Sequence, residues 1–206
     1  MVEATTTDGR LLKGAETRTG ILRRAVDLAS IEGLEALSVR RLATEMNLSK
    51  SGVFAHFGSK EDLQVAVIDE AMQIYVRRVI EPVMTVKPGL ARLSALFDSW
   101  LRYAQEPLFP GGCFFLSVAA EFDARAGRVR DAIAEARRNW LLVYEVTIRD
   151  AISNGELNRR VDAKQLAFEI DALAMAAHGT ALLNDDEDAY RRARRAVKSR
   201  LQAARA

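Results

Sequence analysis

The sequence predicts an all-α fold, and three observations lead to that prediction. Apolar residues recur at spacings of three and four along most of the chain, which is the period of an amphipathic helix. No segment alternates apolar and polar residues in the manner of a half-buried strand. All four prolines fall at joints between the predicted helices, where a missing backbone N–H is tolerated.

Two short helices joined by a three-residue turn are predicted within residues 38 to 63. Leu42, Ala43 and Met46 give the first helix an apolar face with a small residue at the expected crossing. Leu48 and Val53 give the second helix its matching face.

Single residues specify the joints of this helical pair. Asn47 stands at the corner, and asparagine is second only to glycine in adopting the left-handed conformation that a tight turn needs. Ser38 and Ser49 stand where each helix requires an N-cap. The sequence therefore predicts a compact helix-turn-helix.

The second helix of the pair has a surface suited to phosphate. No acidic side chain lies between Glu45 and Glu61, whereas Lys50, His56, Lys60 and the nearby serine hydroxyls can all donate hydrogen bonds. The alternative interpretation is an ordinary helical hairpin with a solvated polar face.

Residues 16 to 80 resemble the DNA-binding domain of the TetR family of bacterial transcription regulators. A helix ending at Gly33 is similar to the first helix of that family, which packs across the other two. The run FAHFGSKEDL, residues 54 to 63, is similar to the family's strongest signature. Within it, Ser59 and Asp62 form a capping-box pattern before an apolar run.

The resemblance implies a set of DNA contacts. Lys50, Ser51 and Gly52 would face bases, and the remaining residues would approach the sugar-phosphate backbone. Phe54 stands where the family usually has Tyr, so it would pack on sugar or a thymine methyl without donating a hydrogen bond. The predicted DNA-binding residues are Ser38, Arg40, Ser49, Lys50, Ser51, Gly52, Phe54, His56 and Lys60.

Composition limits the remaining function classes. The net charge is only +2, and residues 1 to 62 carry nine basic and nine acidic side chains, so local pattern rather than bulk charge indicates DNA. Two histidines and one cysteine offer no spaced metal-ligand cluster, and no nucleophile or nucleotide-binding motif is present. We therefore expect that the protein is not an enzyme and holds no cofactor.

The sequence also predicts where the protein acts. With neither a signal sequence nor a run of 18 apolar residues, we expect a cytoplasmic protein.

The chain divides, by pattern, into three parts. Residues 1–14 lack apolar periodicity and are predicted to form a flexible arm. Residues 15–60 form the helix-turn-helix DNA-binding domain. Residues 61–206 form a larger helical domain for effector binding and dimerisation. Its predicted helices run from about 60 to Pro82, onward from Pro88, from about 128 to 153 before Asn154 and Gly155, from about 163 to 183 after a cap at Asp162, and from about 187 to 203.

The helix from about 163 to 183 predicts a homodimer. One apolar stripe contains Leu166, Ile170, Leu173, Ala177 and Ala181, and a second contains Phe168, Met175 and Leu182. A helix that is apolar on two faces must be covered on both. We expect a partner helix to approach at Ala177 and Ala181.

The last helix, from about 187 to 203, contributes to the same predicted interface. In the TetR family two such C-terminal helices from each subunit form a four-helix interface. From Tyr190 onward the chain has seven basic and no acidic residues. This charge order suits the helix dipole, and a solvated capped helix is favoured over a second DNA-binding surface.

Effector candidates are aromatic or polar residues predicted to face the interior of the second domain. A mostly apolar pocket with one or two polar groups suits a small hydrophobic effector, although such aromatics can equally be plain core. Cys113 is open to two interpretations, a redox sensor or a small buried side chain. The predicted ligand-binding residues are Phe97, Trp100, Tyr103, Cys113, Phe114, Trp140, Tyr144, Met175 and His178.

Together these features predict a homodimeric DNA-binding regulator, a repressor released from double-stranded operator DNA by a small-molecule effector. One alternative is an all-helical homodimeric module that binds a small molecule or protein without reading DNA. Another is a DNA-binding dimer that has no effector.

Overall fold

The structure is a computed structural model that describes residues 4–106 and 108–206, with side chains described from residue 12 onward. Over these residues it contains nine α-helices and no strand, which confirms the predicted all-α fold. The helices are α1 (Ala4–Glu32), α2 (Val39–Glu45), α3 (Lys50–Phe57), α4 (Lys60–Tyr75), α5 (Leu90–Gln105), α6 (Phe114–Phe122), α7 (Arg128–Ser153), α8 (Ala163–Asn184) and α9 (Asp188–Ala203).

Helix α1 extends further toward the N-terminus than expected. It begins at Ala4, so most of the segment 1–14 is helical where an arm was predicted, and residues 1–3 lie outside the described residues. Extending an existing helix is much easier than nucleating one. The weak helix formers before residue 15 can therefore be helical because the apolar segment after them already forms a helix. The helix ends as predicted at Gly33, which has φ 89° and donates its N–H to the Ala29 carbonyl at 3.0 Å.

The described chain forms two compact units that differ from the predicted domains. One unit contains the residues up to 74 together with 109–134, and the other contains 75–108 and 135–206. From the sequence, all residues from 61 to 206 were predicted to belong to the second domain. Helices α4 and α7 each contribute residues to both units.

Long-range capping holds the segment 109–134 in the first unit. The Glu121 carboxylate on α6 accepts hydrogen bonds from the Leu34 and Glu35 backbone N–H groups, each at 2.8 Å. The Gly111 N–H donates to the Ser30 hydroxyl at 3.0 Å, and a Cβ at Gly111 would lie 1.9 Å from the Ser30 carbonyl oxygen. These contacts join positions about eighty residues apart, which local patterns cannot reveal.

Helix α4 has the predicted start and a modified end. The Ser59 hydroxyl accepts from the Asp62 N–H at 3.0 Å, which is one half of the predicted capping box, and it donates to the Asp62 carboxylate at 2.6 Å in place of the Ser59 backbone N–H. Instead of continuing as an α-helix to Pro82, the chain passes through a π-helical turn, Val76–Ile80, and a 3-10 turn, Glu81–Val83. In the second unit the Ser99 hydroxyl donates to the Val79 carbonyl within the π-helical turn at 2.8 Å.

The helix caps of the second unit form at the residues that the sequence predicts. Helix α7 ends before Gly155, which has φ 73°. The Asp162 carboxylate accepts from the backbone N–H groups of Lys164 and Gln165 at 2.9 and 3.1 Å. The Gln165 side chain donates to Glu169 rather than returning to the cap, so only half of a capping box forms.

The two stripes of α8 have opposite environments. Leu166 and Ile170 are buried, and Ala177 and Ala181 are only 6% and 8% exposed, because this face packs within the second unit, in part against α9. Both alanines are thus covered mainly by the chain itself, although Ala177 also lines a shallow surface groove between α8 and α9, and the approach of a partner helix at these two positions stays a prediction. Periodicity identifies two apolar faces but cannot decide which one the chain itself covers.

Helix α8 is also long and apolar enough, by length and composition alone, to cross a membrane, with a mean hydropathy of 1.3. This is a weak indication, because a core helix passes the same test. Asp171 and His178 lie buried within it and bond to other helices of the unit.

Candidate nucleic-acid interface and effector site

The joints between α2 and α3 form as the sequence predicts. The Ser38 hydroxyl accepts from the Arg41 N–H at 3.1 Å, and the Ser49 hydroxyl accepts from the Gly52 N–H at 3.0 Å. Asn47 has φ 53°, in the left-handed region. These local contacts orient α3 relative to α2.

The packing of the pair turns one face of α3 inward. Val53 and Phe57 are buried on this inner face, and Leu42 and Ala43 are buried on α2. Leu48 differs from its prediction, since it precedes the α3 cap and is 37% exposed.

The outward face of α3 carries polar and cationic groups beside one exposed ring. Lys50, Ser51 and Gly52 are exposed, and the Phe54 ring is 51% exposed. Arg40 is exposed on α2, and neither it nor Lys50 has an ion pair among the side chains that the structure describes. This surface offers uncompensated positive charge and small side chains that permit a close approach.

The other predicted DNA contacts already have roles in the protein. The hydroxyls of Ser38 and Ser49 serve as caps, and His56 is half-buried with its ring centroid 6.2 Å from that of Phe57. Lys60 donates from Nζ to the Glu35 carbonyl at 2.7 Å and to the Glu35 carboxylate at 2.9 Å. The hydrogen bond from Lys60 to the Glu35 carboxylate lowers the pKa of that carboxyl group.

An ionic network that the sequence did not reveal supports the pair. Arg41 donates to the carboxylates of Glu32 at 2.8 Å and Glu45 at 2.7 Å, and Arg24 also pairs with Glu45. The hydrogen bonds to Glu32 and Glu45 raise the pKa of the Arg41 guanidinium. The network joins α1 to α2 and neutralises Arg41, so Arg40 and Arg41 have different environments although they are adjacent. No local pattern distinguishes them.

An aromatic cluster in the second unit brings together several predicted effector residues. The Tyr75 ring lies 5.2 Å from both Tyr103 and Trp140, and Trp140 lies 4.6 Å from Tyr144, all edge to face. Tyr75 was not among the candidates, because its position near the end of α4 gave no separate signal.

A buried carboxylate adjoins this cluster. The Trp140 indole N–H donates to Asp171 at 3.2 Å, and Arg137 donates to the same carboxylate at 2.6 Å. Burial raises the pKa of Asp171, and the charge of Arg137 opposes that increase. Burial also raises the pKa of Tyr144, whose hydroxyl has no hydrogen-bond partner among the described residues.

His178 lies in a second buried polar group of the same unit. Its Nδ1 is 2.9 Å from the Tyr190 hydroxyl, which donates to the Ala104 carbonyl at 3.2 Å. The Trp100 ring lies edge to face with the imidazole at 6.3 Å. Burial lowers the pKa of His178, which favours the neutral imidazole.

The structure does not bring all nine effector candidates together. Cys113 and Phe114 are buried in the first unit, where Phe114 contacts Phe109. Phe97 lines a groove between α5 and α9 but also stacks on the Trp100 ring, with 6.3 Å between the centroids, and Met175 is half-buried on α8. The remaining candidates, Trp100, Tyr103, Trp140, Tyr144 and His178, belong to the buried aromatic and polar groups of the second unit.

Helix α8 presents the other exposed face of interest. Phe168 is 58% exposed, Leu182 is 57% exposed, and Ala172 and Ala176 are exposed between them. Large apolar side chains that recur along one face of a helix indicate a protein-protein contact.

The capped helix pair with an acid-free outer face defines a helix-turn-helix DNA-binding protein. Residues 21–67 match the family described as bacterial regulatory proteins, tetR family. Residues 89–197, more than half of the chain, match the tetracyclin repressor-like C-terminal domain. The chain belongs to the TetR family and is a DNA-binding transcription regulator.

Individual relatives agree with this assignment. The HTH-type transcriptional regulator LmrA of Bacillus subtilis (strain 168) is 27% identical over 145 residues, which cover 65% of this chain and 72% of LmrA. A TetR transcriptional regulator from Chloroflexus aurantiacus J-10-FL is 26% identical, with a TM-score of 0.85 over 92% of this chain and 96% of that one. AibR, solved with isovaleryl coenzyme A and operator DNA, shares the fold at 21% identity, with a TM-score of 0.64 over 79% of this chain and 86% of AibR.

Proposed function

We propose that this regulator is a homodimeric repressor that acts in the cytoplasm and leaves its operator when a small hydrophobic effector binds. The observation that carries the DNA-reading part is the exposed face of α3, which has Lys50, Ser51 and Gly52 at its N-terminal end and no acidic residue. A recognition helix reads base edges with its N-terminal residues in the major groove.

The DNA-contact roles divide by position. Lys50, Ser51 and Gly52 face bases, and Phe54 packs on sugar or a thymine methyl. Arg40 approaches the backbone from α2. The full proposed set of backbone-contacting residues is Ser38, Arg40, Ser49, His56 and Lys60. Lys60 must first exchange its surface pair with Glu35, and such pairs are worth only about 0 to 1 kcal/mol.

The homodimer forms through α8 and α9. Phe168 and Leu182 on the outward face of α8 meet a second copy, whose identical face provides the apolar cover that this one needs. Two copies of α3 would then address half-sites one helical turn apart, about 34 to 36 Å.

The effector site lies at the aromatic cluster of the second unit. Three aromatic rings, those of Tyr75, Trp140 and Tyr144, supply apolar surface, and the unpaired Tyr144 hydroxyl supplies a hydrogen-bond donor. AibR offers a precedent for the fold, since it was solved with both an acyl coenzyme A and operator DNA.

Repression is relieved by conformational coupling. The effector favours an arrangement of the second unit in which the two α3 helices no longer match adjacent major grooves. Helices α4 and α7, which have residues in both units, are the covalent route for this change. Typical coupling is about 1 to 3 kcal/mol, or roughly 5- to 150-fold in DNA affinity.

A gel-shift assay with DNA flanking the protein's own gene tests DNA reading. We expect the unmodified protein to bind one segment, Lys50→Ala to lose preference for it, and Lys87→Ala to behave normally. Lys87 is a matched control because it is also an exposed lysine and lies outside the proposed DNA, dimer and effector surfaces, before α5. Absence of any shift would favour the alternative of a helical module that does not read DNA.

Relief of that gel shift by a compound library tests the effector. Tyr144→Phe should keep operator affinity and raise the compound concentration needed for release. Trp140→Ala should do the same but also lose about 3 to 5 kcal/mol of stability if its ring is only core, so melting must be measured alongside. If both variants release normally with every active compound, the site is elsewhere, and if no compound acts, the protein is a regulator without an effector.

A further inference from the structure

A groove between α5 and α9 lies outside the proposed DNA and effector sites. One end, of about 350 Å³, is lined in part by Leu101 and Arg195, and the other, of about 310 Å³, in part by Phe97 and Lys198. Both ends share Arg194, so they form one continuous feature, which we call the α5–α9 groove.

The groove is elongated and has an apolar floor. The lining residues on α5 run from Leu90 to Gln105, which corresponds to about 22 Å of helix at 1.5 Å per residue. Phe97, Leu101 and Val197 are almost fully buried, so they form the base of the groove and leave the long cationic side chains at its edges.

The cations of α9 that point toward α8 are neutralised. Arg192 pairs with Asp186, and Arg200 pairs with Glu169 on α8. This side of α9 therefore offers no net attraction to an anion.

The cations that line the groove are only partly neutralised. Arg194 has Asp98 at 3.2 Å, the single acidic residue of the lining. In the part of the chain that the structure describes, Arg195, Lys198 and Arg205 have no carboxylate within ion-pair distance. The uncompensated positive charge of α9 is thus concentrated in the groove.

We propose that the α5–α9 groove binds a single-chain amphiphile with an anionic head group, a carboxylate or a phosphate monoester. The head group pairs with Arg195 and Lys198, and the alkyl chain lies along Phe97 and Leu101. Guanidinium and ammonium groups recognise such anions through charge-assisted hydrogen bonds. A nucleic-acid strand fits less well, because it has a charge on every phosphate and no apolar chain to cover the floor.

Calorimetric titration of the full-length protein with octyl phosphate, kept below its micelle concentration, tests this proposal. Inorganic phosphate and 1-octanol are the matched probes for the head and the chain. We expect octyl phosphate to bind at least tenfold more tightly than either. Each further methylene from hexyl to octyl phosphate should tighten binding about fourfold, equivalent to about 0.8 kcal/mol per buried CH₂.

The variant Arg195→Ala with Lys198→Ala should weaken octyl phosphate binding at least tenfold, while Arg138→Ala, on α7, leaves it unchanged. All three side chains are exposed, so the substitutions spare the core. The proposal is overturned if octyl phosphate gives no binding heat, if inorganic phosphate binds equally well, or if the double variant binds normally. If octyl phosphate gives no binding heat and the double variant instead loses affinity for a non-operator DNA duplex, the groove is assigned to nucleic acid. Operator binding, measured separately by gel shift, does not depend on any of these outcomes.

Discussion

The exposed faces of α3 and α8 differ in chemistry, and the difference indicates two kinds of partner. On α3 the exposed Lys50 and Ser51 begin a helix that contains no acidic residue, and the large apolar side chain exposed on it is Phe54. On α8 the exposed stripe is apolar, with Phe168 and Leu182 more than half exposed. A cationic face gains from a polyanion through released counterions, whereas an apolar face gains only from leaving water.

The largest expected effect comes from placing charge on the apolar face. Phe168→Glu combined with Leu182→Glu should dissociate the dimer, because each side chain contributes about 1.5 to 3 kcal/mol when buried and the new carboxylates would face each other across the twofold axis. Operator binding should then collapse, since a single half-site offers half of the contacts. Sedimentation at micromolar protein measures the dissociation.

Ala177→Glu is the informative control for the α8 face. Ala177 is buried in the chain's own core, so a carboxylate there should lower the melting temperature, whereas the double variant should melt as a folded monomer. Intact dimers of the double variant would remove the Phe168 and Leu182 face from the interface.

The second expected effect concerns sequence preference on the cationic face. Lys50→Ala should relax the preference at particular base pairs by about 1 to 3 kcal/mol each, because we propose that this side chain contacts base edges. Binding measured against a set of single-base operator substitutions checks it. A uniform loss across all sequences would reassign Lys50 to the phosphate backbone.

The α3 region could be predicted from sequence because its structure is fixed locally. Ser38, Asn47 and Ser49 each determine a cap or a turn within four residues of their own position. The orientation of α8 could not be predicted, because both stripes are apolar and only packing within the unit selects the inner one. The pairing of Lys60 with Glu35 was missed for the same reason, since it joins residues 25 positions apart.

Packing between distant segments also limits what the sequence can predict about the effector residues. Aromatic residues at helical spacing were correctly expected in the interior, and Trp140, Tyr144 and Trp100 are buried or half-buried in the second unit. Periodicity could not reveal that Phe114 belongs to the other compact unit, because that assignment depends on where the segment 109–134 packs.

A third prediction concerns the phosphate contact that we propose for Lys60. Lys60→Ala should weaken binding to all sequences alike, because each phosphate contact that is lost costs roughly eightfold in affinity at 0.1 M salt and reduces the slope of log K against log salt by about 0.9. A homodimer loses one such contact in each half. Glu35→Gln is the opposite test, since it removes the carboxylate charge beside Lys60 while leaving the hydrogen bond to the Glu35 carbonyl, and it should strengthen binding slightly. Dimerisation through the apolar α8 face should respond little to salt over the same range. Altered sequence preference with an unchanged salt slope would exclude Lys60 as a phosphate contact.

The smallest expected effect comes from Phe54→Tyr. Phe54 is 51% exposed on the outward face of α3, so we expect an added hydroxyl to reach solvent and to donate to a phosphate once DNA is bound. The expected gain is about 0.5 to 1 kcal/mol, or roughly two- to fivefold in affinity, without a change in melting temperature. Phe54→Leu, which keeps an apolar contact but has no hydroxyl, is the matched control and should show no gain. Operator titrations at fixed salt compare the three proteins. If the tyrosine variant binds no better than the unmodified protein, the edge of the ring that would carry the hydroxyl lies out of reach of a phosphate oxygen, and the polar contacts of this face are confined to the serines and Lys50 beside it.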